Sequence, residues 1–209
     1  MNINKITEGY IDEHPTIRSC LKKGLINYSS LAREIAGYNS LNLKKNFDAI
    51  LIACRRYKDK LSKTDNEKEI RELLSKSKLE VKNKIMTVVF EKRVPRTQIE
   101  LIEKDIIRVG GIFRLIEGAT AYTLIISDEF APEVDKIFKA FQIEQRGGLV
   151  EVIFKSTKAI ENLPGVMAYI CSRLADAGVN IVETMSCWTD TILVVEEKDL
   201  GKVMEVLRF

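Results

Sequence analysis

The chain has 209 residues, of which 45% are hydrophobic and 30% are charged, and its formal net charge is +3. This length accommodates one large domain or two to three small ones, and the apolar share is sufficient for a packed core. No run of eighteen apolar residues occurs, and the N-terminus lacks the basic-then-apolar pattern of a secretory signal. We therefore expect a cytoplasmic protein with no membrane partner.

Charge and cysteine placement add two expectations. Residues 1–80 hold 16 Lys and Arg against 11 Asp and Glu, a net charge of +5, whereas residues 81–209 hold 17 against 19, a net charge of −2. This asymmetry predicts two modules. The cysteines have no metal-ligand spacing, so we expect reduced thiols in a reducing compartment. They are Cys20, Cys54, Cys171 and Cys187.

The first module, residues 1–62, is predicted to be all-helical. Gly24 suits the end of its second helix, Asn27 suits the N-cap of the third, and Gly37 is predicted to end that third helix. The two short helices around Gly24 have the length and turn chemistry of a helix-turn-helix. A fourth helix over residues 43–61 carries an apolar stripe on one face and six cations on the other.

A helix-turn-helix would place its second helix in the major groove of DNA. The candidate DNA contacts on the third and fourth helices are Tyr28, Ser29, Ser30, Arg33, Arg55 and Arg56. The third helix is poor in cations for a specific reader, so a helical bundle with a solvated basic face is the competing interpretation. Either DNA or a partner protein remains open for this module.

Catalytic chemistry has little support in the residue pattern. His14 is the only histidine, and it has neither a second histidine nor clustered carboxylates beside it. No nucleophile–base pair or phosphate-binding loop is recognisable. We therefore predict a protein that is not an enzyme, with no catalytic residues, no metal site and no cofactor.

Residues 63–80 are predicted to form a connecting helix. Thr64 and Glu67 have the spacing of a capping box, and a narrow apolar edge follows them. A mostly exposed joining helix and a signalling lever are both compatible with this pattern.

From Lys84 onwards the pattern changes to two copies of a βαββα unit, which we assign to residues 81–146 and 147–209. In the first copy a capping box at Thr97 opens the helix, whereas in the second the helix is predicted from Pro164 to Ala177. Apolar strand and helix positions match between the copies at offsets of 64 to 68 residues. The predicted fold class is α+β, an all-α module followed by two ferredoxin-like βαββαβ units.

The second copy, with PGVMAYICSRLADAGVNI followed by TILVVEEKDLGKVMEVL, resembles ACT domains, and is most similar to the paired ACT modules of aspartate kinases. The first copy resembles them in architecture only. It has Val94-Pro95-Arg96-Thr97 where the Pro-Gly turn should be, which predicts a degenerate loop there. The resemblance implies a small regulatory module that responds to an amino acid.

Carried onto this sequence, the resemblance implies a ligand site between the strand-to-helix loop of one unit and the following strand of a neighbouring unit, usually across paired units. The implied ligand-binding residues are Asn162, Leu163, Pro164, Gly165, Val166, Asn180 and Ile181. A glycine permits close approach of a ligand, and free amides at a helix start can bind a carboxylate. Trp188 is predicted to lie in the core or an interface. Glu183 is either an edge carboxylate in water or a carboxylate that faces a ligand amine across an interface, and we favour the first interpretation.

The sequence thus predicts a regulator whose ACT-like units sense a small metabolite and signal through the helical module to DNA or a partner enzyme. Exposed sheet edges of such units favour pairing, so a homodimer is expected. The alternative is an association module that binds no ligand and acts on a partner protein.

Overall fold

The computed structural model describes residues 2–62 and 66–208. The chain divides into two compact units, Met1–Asn66 and Glu67–Phe209. The helices described in the first unit are α1 Ile3–Glu13, α2 Pro15–Lys22, α3 Tyr28–Tyr38 and α4 Leu43–Ser62. The elements of the second are α5 Glu67–Ser75, β1 Lys78–Glu91, α6 Arg96–Arg108, β2 Phe113–Glu117, β3 Ala121–Ser127, α7 Ala131–Phe138, β4 Gln142–Lys155, α8 Val166–Asp176, β5 Ile181–Cys187, β6 Asp190–Glu196 and α9 Leu200–Val206. Among these described helices, none has the length and apolar character that crossing a membrane requires.

Short-range signals set most helix ends in the first unit. The side chain of Asn27 accepts a hydrogen bond from Ser30 N over 3.0 Å, which confirms the predicted cap of α3. Gly24 follows α2 with a φ of +71°, as predicted for a helix end. The prediction for Gly37 was wrong, because α3 continues through it and Ser40 adopts the left-handed conformation instead, with a φ of 51°.

The core of the first unit draws on all of its described helices. Tyr57 of α4 donates a hydrogen bond to Asp12 over 2.5 Å, which ties α4 to the end of α1. Burial and this hydrogen bond to the carboxylate raise the pKa of Tyr57 to about 12. Each helix contributes at least one fully buried side chain, for example Ile11, Leu21, Ile35 and Ile50.

The second unit is built on a six-stranded antiparallel sheet with the order β2-β3-β1-β4-β6-β5. The two central strands, β1 and β4, have 14 residues each and pair with one another along their length. The start of β1, residues 78–82, pairs with the end of β4, residues 151–155. Each central strand is therefore long enough to contribute to both halves of the sheet. We call residues 85–141 the first half and residues 149–208 the second half.

The long central strands correct two predicted boundaries. The helix predicted over residues 63–80 ends at Ser75, and β1 already begins at Lys78. The glycine pair before Leu149 was taken as the start of the second unit, yet β4 begins at Gln142 and runs through it. Gly148, with a φ of +68°, lies in a register shift between β1 and β4, so it marks a bulge in one strand.

Helix starts in the sheet unit also differ from expectation. Thr64, the predicted cap of the connecting helix, lies outside the described residues. The prediction of a capping box at Thr97 was wrong, because the N-cap of α6 is Pro95, two residues earlier, and it makes no side-chain hydrogen bond. Pro95 has a φ of −61°, which is close to the helical value, so its backbone already directs the chain into the helix. The next long helix, α8, begins at Val166, two residues later than predicted.

One face of the sheet is covered by helices, which form a separate core over each half. In the first half, Phe90 of β1 stacks on Phe138 of α7, with ring centroids 5.0 Å apart. In the second half, Ile170 and Leu174 of α8 are fully buried against β4 and β6. The connecting helix α5 joins this second core through Ile70, Leu73 and Leu74.

The opposite face is buried because the sheet curls over itself. Arg114 of β2 binds Glu151 of β4 through two hydrogen bonds of 2.5 and 3.1 Å, although two strands lie between them. The Glu151 side chain is fully buried, and the pair raises the pKa of Arg114. An apolar cluster lies on the same face and consists of Ile85, Ile125, Leu149 and Val194.

Glu183 lies on the edge strand β5, as predicted, but it faces the curled side of the sheet and is not fully exposed to water. It lies in β5, opposite Val194, and is only partly accessible. The hydroxyl of Thr123 in β3 donates a hydrogen bond to it, and burial raises the pKa of the Glu183 carboxyl. This contact joins the second half to the first.

Candidate ligand-binding site at the start of α8

The loop between β4 and α8, residues 156–165, places open backbone amides at a helix start. It includes a 3-10 turn, Lys158–Asn162, and ends at Gly165, the N-cap of α8, whose φ is +97°. The positive φ favours glycine at this position, and a Cβ there would lie 3.4 Å from Ile70 Cδ1, in van der Waals contact with α5. No side chain caps α8. The amides of its first turn therefore present partial positive charge to an incoming acceptor.

A cavity of about 570 Å³ opens beside these amides. This volume lies in the range of small-molecule sites. Its walls come from the loop, from the first turn of α8 and from the β5–β6 hairpin. The wall residues used below are Glu161, Leu163, Met167, Ser186, Trp188 and Thr191.

Thr191 carries the most information about this cavity. It is fully buried on the helix-covered face of β6, where it pairs with Phe154 of β4 and Ser186 of β5. Its Oγ1 has no hydrogen-bond partner among the described residues. A buried hydroxyl without a partner costs about 1–3 kcal/mol. Thr191 therefore places an unsatisfied buried hydroxyl in the wall of this cavity.

The remaining wall chemistry is mostly uncharged. Of the described residues that line the cavity, Glu161 bears the charge, whereas Leu163 and Met167 are apolar. Trp188 lies at the turn between β5 and β6 with a φ of 51° and is 69% exposed, so it is not a core residue. Its indole is thus available to cover or contact a molecule in the cavity.

The predicted ligand residues divide between this cavity and its surroundings. Three of them line it, namely Leu163, Gly165 and Val166. Asn162 lines a second cavity of about 480 Å³ between the loop and α5, to which Leu163 also contributes. Pro164 lies in the loop between these positions. Asn180 is exposed just before β5, and Ile181 packs against the second core, so neither is a wall residue.

Sequence reasoning missed the hairpin side of the cavity. Alternation in β6 places Thr191, Leu193 and Val195 on the helix-covered face. The hydroxyl of Thr191, at the first of these core-facing positions and opposite Ser186, is the sequence feature that could have indicated this side of the cavity. It became meaningful only once β5 and β6 were placed beside α8.

The equivalent position in the first half is filled by Tyr122. Tyr122 pairs with Phe90, as Thr191 pairs with Phe154. Its ring is 7% exposed and lies 5.7 Å from the Phe90 ring. An aromatic side chain thus occupies the space that the smaller Thr191 leaves open.

Ion pairs also close the loop of the first half. Glu117 pairs with Tyr122 in the sheet, as Ser186 pairs with Thr191. It accepts hydrogen bonds from Lys92 Nζ over 2.9 Å and from Arg96 over 3.1 Å. These contacts lower the pKa of Glu117. They tie the first-half loop to β2.

The predicted DNA contacts lie in the helical unit. The guanidinium of Arg55 lies over the ring of Tyr28, 5.9 Å from its centroid, which connects α4 with the start of α3. Arg33, Arg56 and Ser30 are exposed. The remaining candidate is Ser29, which is half-buried. Among the described residues, no group of three or more His, Cys, Asp or Glu side chains is arranged to hold a metal ion.

Comparison with known proteins gives a family match for part of the chain. Residues 144–208 match the family model described as ACT domain. No curated protein sequence matches the chain. The matched segment contains the α8 loop, the β5–β6 hairpin and all of the cavity walls described above.

Solved structures of aspartate kinases share the fold. The enzyme from Clostridium acetobutylicum is 20% identical, with a TM-score of 0.51 over 62% of this chain and 33% of its own. The aspartate kinase from Synechocystis is 15% identical, with a TM-score of 0.50 over 64% of this chain and 26% of its own. This chain thus spans about a third or less of the length of these enzymes.

A ligand-free regulatory subunit of aspartate kinase from Thermus thermophilus matches over most of its length. It is 11% identical, with a TM-score of 0.50 over 63% of this chain and 94% of its own. At these identities the likeness concerns the fold alone. Residues 144–208 therefore match the ACT domain family, and 63% of the chain shares the fold of an aspartate kinase regulatory subunit.

Proposed function

We propose that this protein is a non-enzymatic regulator that binds a small α-amino acid with an uncharged side chain in the cavity at the start of α8. The ACT domain match and the likeness to a regulatory subunit support a regulatory, small-molecule-sensing role. The single observation that carries the proposal is the buried, unpartnered hydroxyl of Thr191 beside open volume and uncapped helix amides.

The wall chemistry supports this ligand class. The amides at the start of α8 suit a carboxylate, and Glu161 suits an ammonium group. Leu163, Met167 and Trp188 suit an uncharged side chain, and Thr191 supplies a hydroxyl partner. The described walls contain no cation for an acidic side chain, which disfavours aspartate and glutamate as ligands.

The single tryptophan provides a fluorescence test of ligand binding. Trp188 is the only tryptophan of the chain and lines the cavity, so its fluorescence reports on that site. We expect one or more of the twenty L-amino acids to change this fluorescence saturably and to raise the melting temperature. A ligand at 100 times its Kd adds about 2.7 kcal/mol of stability. Absence of any response to all twenty would contradict the proposal.

The competing proposal is a ligand-free association module that forms a homodimer. The sheet edges β2 and β5 support it, because each leaves one side of a strand without a neighbour in the described sheet. Light scattering after size exclusion separates the two proposals when it is done with and without amino acids. A dimer that never responds to an amino acid favours association alone.

For the helical unit, we propose contact with the DNA backbone as a route for the signal. The observation behind it is the Arg55–Tyr28 stack, with Arg33 and Arg56 exposed on the same helices. Phosphate contacts make binding fall steeply with salt. Duplex binding should therefore weaken with salt and disappear when all three arginines are changed to glutamine. Salt-insensitive or absent binding would leave a partner protein as the target.

The strand pairing supports a finer proposal for the sheet unit. We propose two ferredoxin-like βαββαβ units, each closed by one end of a central strand. The beginning of β4 would close the first unit, and residues 78–82 of β1 would close the second.

A further inference from the structure

The connecting helix α5 packs directly on the loop that forms the cavity. Ile70 is buried, and its Cδ1 lies 3.4 Å from the position of a Cβ on Gly165. The guanidinium of Arg71 lies 5.9 Å from the ring centroid of Tyr169, in the first turn of α8. Just beyond α5, Ser77 and Ser156 share a hydrogen bond of 2.7 Å between their hydroxyls. The helix is thus held at both ends of the 156–165 loop.

The loop also separates two cavities. Leu163 is a wall residue of both the Thr191 cavity and the cavity beside α5. On the α5 side its neighbours in the wall include Leu73, Glu69 and Glu72. Filling the Thr191 cavity would give Leu163 and the loop new contacts on one side. Their other side is the surface on which α5 rests.

We propose that α5 is coupled to the cavity through this loop, so that filling the cavity strengthens the docking of α5. A loop held by contacts on its inner side loses mobility, and a second element then docks on it at a smaller entropy cost. Because α5 is the first helix after residue 66, it is also the segment through which the chain enters the sheet unit. This inference rests on the proposed ligand site and adds its route of regulation.

Coupling of this kind is reciprocal. If an occupied cavity favours docked α5 by some factor, loosening α5 must weaken ligand binding by the same factor. Couplings between sites are typically 5- to 150-fold. We therefore expect an effect of at least about 5-fold in each direction.

The first experiment needs no ligand. Thr191→Tyr copies Tyr122 of the first half and fills the cavity from within. Hydrogen exchange at the α5 amides should slow at least about 5-fold in this variant. Thr184→Tyr, at an exposed site on β5, is the matched control and should leave α5 unchanged. If Thr191→Tyr does not fold, the smaller Thr191→Leu serves the same purpose. Unchanged exchange at α5 in a folded filled-cavity variant would overturn the coupling.

The second experiment uses L-leucine as the probe, followed by Trp188 fluorescence. Ile70→Ala should weaken L-leucine binding at least about 5-fold, whereas Lys68→Ala, on the exposed side of α5, should not. Equal affinity in wild type and Ile70→Ala would overturn the coupling. A wild type that ignores L-leucine and all other amino acids contradicts the ligand proposal, and the filled-cavity variants then decide the coupling alone.

Discussion

The two halves of the sheet unit share strand order and packing but differ at one equivalent place. In the first half Tyr122 fills the space beside the helix start, and Glu117 ties the loop to β2. In the second half Thr191 and Ser186 occupy the matching positions and leave a cavity. A similar scaffold thus carries a filled and an open version of one site. The difference lies in side-chain volume and charge at two strand positions.

This comparison explains why a shared fold does not imply two binding sites. The helices of both halves start without a side-chain cap. The start of α8 borders a cavity whose described wall residues include Thr191, with its unpartnered hydroxyl. The distinction between the halves leads to four predictions, given from the largest expected effect to the smallest.

The largest effect should come from breaking the ion pair that joins the halves. Arg114→Met leaves the carboxylate of Glu151 buried without its partner, which should lower the free energy of unfolding by about 3–5 kcal/mol. Urea denaturation measures this. The double variant Arg114→Met/Glu151→Leu removes both charges and should recover most of the loss. A single variant as stable as wild type would contradict a buried, paired Glu151.

Making the second half resemble the first should abolish ligand response. Thr191→Tyr should remove the amino-acid-induced rise in melting temperature, which corresponds to about 2.7 kcal/mol at 100 times the Kd. Differential scanning fluorimetry with and without the amino acid gives the result. Thr184→Tyr is the control and should respond like wild type. A folded Thr191→Tyr protein with normal ligand response would place the ligand elsewhere.

A smaller substitution, Thr191→Val, should change stability and ligand affinity in opposite directions. Thr191→Val keeps the shape but removes the unpartnered hydroxyl, so the ligand-free protein should gain about 1 kcal/mol of stability. Ligand affinity should fall at the same time, because the hydroxyl loses its role as a partner. Thermal unfolding and fluorescence titration measure the two effects. If Thr191→Val lowers the free energy of unfolding and leaves ligand affinity unchanged, then the Thr191 hydroxyl has a hydrogen-bond partner within the protein.

The smallest effect concerns Glu183, which contacts the first half through Thr123. Its folded-state pKa is raised, so the folded protein favours the protonated form, and ionisation costs stability as pH rises above about 4.5. Glu183→Gln should therefore be more stable than wild type at pH 7, by a few tenths of a kcal/mol because the group is partly exposed. The difference should shrink towards pH 4. A difference that grows at low pH would reverse the assigned sign.

Local signals predicted much of the architecture. Asn27 caps α3 and Gly24 follows α2, since a cap needs only a side chain and the amides beside it. The helix start near Gly165 and the loop side of the cavity were recognisable for the same reason. The predicted helix boundary was wrong where another residue took the expected role. Pro95 begins α6 in place of Thr97, and Ser40 adopts the left-handed conformation after α3 in place of Gly37.

Long-range pairing decided the features that the residue pattern left ambiguous. The glycine pair near residue 148 has the composition of a boundary, yet pairing with β1 carries β4 through it. Glu183 has the pattern of an edge residue, yet the curl of the sheet brings it into contact with Thr123 of β3. Strand continuation and curl depend on partners that are distant in the chain.

The sequence by itself determined a helical module, a following α+β module with an internal repeat, and a glycine-marked helix start in the second copy. These follow from periodicity and from interactions within a few residues. The tertiary structure alone decided that Thr191 stays unpartnered beside an open cavity, that Tyr122 fills the matching place, and that α5 rests on the loop. Each of these depends on which side chains meet across strands and helices, and hence on packing.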